Sequence, residues 1–134
     1  MNDQELKIKV HKIAGQLMYN KKYIAPVDLL MELGYLTAKD HENWRMGKVP
    51  FLEQVCQVNL KKLSRIMKIL RDYCQKLKYN PSYTAYMSWG KQQKRKLRFS
   101  KSGESFIEQA YATHYVNPIL RKEKLEKKEE EDTT

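Results

Sequence analysis

The sequence predicts a mainly α fold with one β-hairpin, in the α+β class. Two long stretches, 4–18 and 51–78, carry apolar residues at helical spacing. Start and stop residues between 26 and 50 mark two short helices. Beyond Asn80-Pro81-Ser82, read as a break, the apolar period changes from 3.6 to 2. The 134 residues suit a single helical domain over 1–118, followed by a charged tail over 119–134. Apolar residues make up 41% of the chain, enough for one modest core.

The first helix, 4–18, is apolar at Leu6, Ile8, Val10, Ile13, Ala14, Leu17 and Met18; positions 6, 10, 13/14 and 17 have helical spacing, Ile8 lies off the stripe, and Asp3 is the cap. Pro26 opens the next segment and Gly34 closes it, following the usual helix start and stop asymmetry. Val27, Leu30 and either Met31 or Leu33 are its inward residues. Thr37 with Asp40 three residues later approximates a capping box, and Gly47 and Pro50 end that helix. The stretch 51–78, interrupted near Asn59, is apolar at Leu60, Leu63, Met67, Leu70, Cys74 and Leu77 and cationic on its other faces.

The hairpin is expected at about 84–100. Met87, Trp89, Leu97 and Phe99 form its apolar face, Tyr86 points outward, and GKQQKR makes the tip. Ser105 and Glu108 look like a second capping box, with a helix continuing through His114 and Tyr115 to just before Pro118. The final residues are nearly all charged and read as a frayed helix or a disordered tail.

Charge distribution carries the functional expectation. Residues 61–101 hold thirteen cations and one anion, Asp72, for a net +12. The other 93 residues therefore sum to −2 against the chain's total of +10. Such polarity is the electrostatic footprint of a nucleic-acid surface. The expected phosphate-contacting residues are Lys61, Lys62, Arg65, Lys68 and Arg71 on the long helix. Lys91, Lys94, Arg95, Lys96 and Arg98 join them from the hairpin, beside Tyr86.

Residues 29–50 resemble the lambda-repressor-like helix-turn-helix family at Leu30, Leu33, Gly34, Thr37, Trp44, Arg45, Gly47, Lys48 and Pro50. That resemblance implies a second helix entering the major groove. Thr37, Ala38, Lys39 and His41 would then face bases, with Arg45 and Lys48 near phosphate. The same residues also suit an ordinary helical hairpin with Trp44 in the core. The cationic hairpin after a helical bundle is similar to the wing of winged-helix proteins.

The expectation is a non-enzymatic protein that binds nucleic acid, double-stranded DNA before RNA, of the small bacterial or phage-type regulator kind. By analogy with such regulators a homodimer is expected. The alternative is an interaction module or inhibitor whose cationic face covers an acidic or nucleic-acid-binding protein partner. No catalytic residues, cofactor or metal are expected, because there is no phosphate loop, no paired carboxylates in one cleft and no nucleophile beside a base. No run of about 20 apolar residues and no secretory leader is evident, so a cytoplasmic location without membrane association is expected. Cys56 and Cys74 fit reduced core thiols.

Overall fold

The structure is a computed structural model that describes residues 2–119. Helix α1 (Asp3–Lys21) is capped by Asn2, one residue earlier than expected, whose side chain accepts from the Glu5 N–H at 2.8 Å. Its buried face is Leu6, Val10, Ile13, Ala14, Leu17 and Met18, while Ile8 is exposed. A two-residue strand, β1 (Tyr23–Ile24), leads into α2 (Pro26–Glu32), whose first turn accommodates a proline lacking an N–H. Val27, Leu29, Leu30 and Leu33 are all buried, and Met31 is half-buried.

Helix α3 (Ala38–Arg45) begins where Thr37 accepts the Asp40 N–H at 3.0 Å. Trp44 is fully buried, and its indole N–H donates to the Arg98 carbonyl at 2.8 Å. A 3-10 turn (Leu52–Val55) precedes α4 (Leu60–Lys76), so the interruption near Asn59 is a true helix start. The Asn59 side chain caps α4 by accepting the Lys62 N–H at 2.8 Å. Leu63, Ile66, Leu70 and Cys74 are buried against α1, whereas Leu60 and Leu77 at the ends of the stripe remain exposed. Among the described residues no helix is long and apolar enough to cross a membrane.

The β-structure departs from expectation in three ways. First, Asn80–Tyr83 is not merely a break but strand β2, and Thr113–Val116 is strand β3 rather than the end of a helix. The antiparallel sheet runs β1-β3-β2, with Tyr23 opposite Val116 and Pro81 opposite Tyr115. Pro81 is tolerated because β2 lies at the sheet edge. Helix α5 is accordingly short (Ser105–Ala112).

Second, Ser105 does not cap α5. Glu104 holds that position without a side-chain bond, and Glu108 instead accepts the Phe99 N–H, the Ser100 N–H and the Ser100 hydroxyl at 2.6–2.9 Å. Third, the expected hairpin over 84–100 lacks regular strands. It is held by one bridge, Met87 to Lys96, and by the Ser88 and Leu97 N–H groups bonding to the Arg95 and Tyr86 carbonyls. This pairing reverses the first strand's faces. Tyr86 and Ser88 turn inward with Leu97 and Phe99, while Met87 and Trp89 are 38% and 46% exposed. The charged segment 120–134 lies outside the described residues.

Candidate nucleic-acid interface

The looped hairpin is fastened to the C-terminal end of α3. The Trp89 N–H donates to the Arg45 carbonyl at 2.6 Å, and the Arg95 guanidinium donates to the Gly47 carbonyl at 2.6 Å. Gly47 has φ +78°, and a Cβ there would come within 2.6 Å of the Arg95 guanidinium. Glycine is therefore needed both for the backbone turn and for the approach of Arg95.

Behind this clamp sits an aromatic cluster around Arg45. Its guanidinium carbon lies 4.6 Å from the Trp89 ring centre and 5.0 Å from that of Tyr86, and its Nε is buried with no hydrogen-bond partner among the described residues. Burial lowers the Arg45 pKa, while neighbouring Tyr86 acts to raise it. Ring faces partly replace the hydration that the guanidinium loses. His41 packs edge-on against Trp89 at 5.7 Å. Arg45 and His41, expected toward phosphate and bases, thus serve first to seat Trp89. Tyr86, expected outside, donates to or accepts from His114 Nε2 at 2.8 Å, and burial raises its pKa.

What remains outward at this end is a cationic rim. Lys39, Lys48, Lys91 and Lys94 are exposed, and Lys96 lies over the Tyr83 ring at 5.2 Å. Thr37 and Ala38 are exposed at the start of α3. Arg98 is turned back on its own loop, donating to the Ser100 carbonyl at 2.7 Å and to the Lys101 carbonyl.

The α4 cations have other surroundings. Lys62 lies over the Tyr35 ring, Arg65 pairs with Asp3 at 2.5 Å, and Lys68 pairs with Asp72 at 2.9 Å. Lys61, Arg65 and Lys68 line a cleft against α1, whereas Arg71 lines a groove between α4 and α5 together with Lys68 and Lys101. The hairpin tip is tied to α3, and these α4 cations to α1 and α5.

Sequence reasoning missed Trp89 as an exposed aromatic and missed the α1 residues Lys7 and His11 beside the α4 cations. The second was signalled, since each follows a core position, Leu6 or Val10, by one residue and so flanks the buried stripe. Burial pushes the thiols of Cys56 and Cys74 up to about 12, with Glu53 and Asp40 adding to the effect at Cys56. Both are free thiols held far from the thiolate form at neutral pH. Comparison with protein families, curated proteins and solved structures finds no match to this chain.

Proposed function

We propose that the protein binds nucleic acid, double-stranded DNA foremost, through the hairpin tip and the α3 end to which it is clamped. The observation that carries this reading is the clamp itself. Two hydrogen bonds and an arginine–aromatic cluster hold a loop rich in lysine and devoid of carboxylates against a short helix that carries exposed Lys39 in its first turn and is followed by exposed Lys48 three residues past its end. A loop kept rigid in this way presents charge without paying the ordering cost at binding. Lys48, Lys91, Lys94 and Lys96 act on phosphates, the exposed Trp89 ring offers an apolar contact, and Thr37, Ala38 and Lys39 are the positions nearest to base edges in the helix-turn-helix resemblance.

Anisotropy with a random duplex of about 24 base pairs, titrated at several salt concentrations, tests the proposal. Replacing Lys91, Lys94 and Lys96 with Ser, while leaving Arg95 to hold the clamp, should flatten the slope of log affinity against log salt by about 2.7 units if all three contact phosphate. Absence of duplex binding by the parent protein at low salt would overturn the reading.

A second reading, docking on an acidic protein segment, is favoured by the groove between α4 and α5. Its volume is about 1030 Å³, the exposed side chains of Leu60 and Phe106 line it, and Lys68, Arg71 and Lys101 contribute its cations. Apolar floor and cationic edge complement an amphipathic acidic helix.

A further inference from the structure

The cleft between α1 and α4 combines features that neither helix needs for folding. It encloses about 750 Å³ and is lined by Lys7 and His11 from α1 and by Lys61, Arg65, Lys68 and Lys76 from α4. Asp72 is its one lining carboxylate, and that group is already engaged by Lys68 at 2.9 Å. Five cations stand against Asp72 and against Asp3, which pairs with Arg65 at 2.5 Å from outside the lining, and leave a net +3 with His11 neutral.

The spacing is ordered. Positions 61, 65, 68, 72 and 76 recur at three or four residues and therefore occupy one face of α4. At about 1.5 Å rise per residue, Lys61 to Lys76 spans about 22 Å. Phosphates on one strand rise by about 3.4 Å each along the duplex axis, so a row of this length is long enough to face several of them. Lys61 with Arg65, and Arg65 with Lys68, are like-charge neighbours that weaken an isolated helix. Helix stability therefore does not account for them, and a mixed-sign surface would serve solubility equally well.

Two titratable groups in the cleft respond to this field. The carboxyl of Asp72, exposed on α4, is held below its usual range by its hydrogen bond to Lys68 and by the charges of Lys68, Arg71 and Lys7. His11, its ring tilted by 35° against Tyr73 at 4.8 Å, is shifted down by burial and then by Lys7 and Lys76.

We infer that the α1–α4 cleft is a second binding site for the phosphodiester backbone, separate from the hairpin tip. It rests on the proposed function for the identity of its polyanion and on its own geometry for its place. Every lining residue belongs to α1, α4 or the residue directly after α4, and none to α3 or the hairpin. With both sites occupied, the protein holds two backbone segments at once.

Lysine acetylation footprinting of the full chain with the 24-base-pair duplex, read by mass spectrometry, tests the inference residue by residue. Lys7, Lys61 and Lys76 should be protected in the parent, and should remain protected when Lys91, Lys94 and Lys96 are changed to Ser. Conversely, K7Q/K61Q/K76Q should flatten the salt slope by about 2.7 units and leave Lys91 and Lys94 protected. Protection of the hairpin lysines alone, with an unchanged slope in the cleft variant, would overturn the second site and leave the proposed function standing. Protection of the cleft lysines alone would support this site and overturn the hairpin reading. Loss of cleft protection in the hairpin variant would overturn the separateness of the two sites. Absence of duplex binding by the parent would overturn both.

Discussion

Trp44 joins the helical layer to the irregular loop. Its ring packs on Phe99 at 5.1 Å and on Tyr86 at 5.6 Å, and its N–H reaches the carbonyl of Arg98, 54 positions away. Trp44→Ala should therefore destabilise by about 3–5 kcal/mol through the cavity it leaves. Trp44→Phe keeps most of the ring but leaves the Arg98 carbonyl without its indole partner, which should cost about 1–3 kcal/mol. Chemical denaturation of the two variants separates packing from hydrogen bonding, and equal losses would contradict that division. The burial of Trp44 was legible from its place on the short helix, but its partner was not, because nothing local links position 44 to position 98. Arg45 illustrates the converse. The helix-turn-helix resemblance implied a place near phosphate, yet Tyr86 and Trp89 on a distant loop claim its guanidinium.

At the scale of elements, helices were the readable part because caps and stripes are local. Thr37 caps α3 as its spacing implied, and Gly34 adopts φ +85° just beyond α2. The looped hairpin was less readable. Alternation alone fixes which residues share a face of each strand, but the pairing between strands decides which face is buried, and a shift of one residue inverts it. The Met87–Lys96 bridge sets Tyr86 inward and Trp89 outward. Thr113–Val116 carried a β-signal in its Thr, Tyr and Val, hidden by the helical spacing of the residues just before it. The clamp of the loop on α3 can be broken at a single point. Gly47→Ala places a Cβ against Arg95 in left-handed backbone, where L-residues are disfavoured by about 1–2 kcal/mol. It should lower stability by at least that amount and shift Trp89 emission as the loop loosens. A W44F background removes the other tryptophan's signal. Unchanged emission would mean that Arg95 does not hold the loop.

Across the whole molecule, the three histidines respond to folding in the same direction. Burial lowers the pKa of each below its ordinary 6.5, with further lowering from Lys7 and Lys76 at His11, from Arg45 at His41, and from Lys21 at His114. Asp28 opposes the shift at His41 and His114 without reversing it. His114 has the most at stake structurally, since it stacks on Tyr23 from β1 at 5.2 Å and bonds to Tyr86 of the loop. As pH falls through about 6.5, the unfolded chain takes up protons before the folded one. Stability is therefore complete above that value and is lost as pH descends toward the lower folded values. Tm should be level above about pH 7 and should begin to fall as pH drops below about 6.5, ahead of the range in which ordinary carboxylates titrate. Rising net charge pushes in the same direction, so the parent's curve alone does not isolate the histidines. His114→Gln separates the effects, because it removes one titrating group while retaining an amide that can bond to Tyr86. Its Tm should fall less steeply across the same interval. An identical slope in the two proteins would assign the acid sensitivity to general repulsion among the cations.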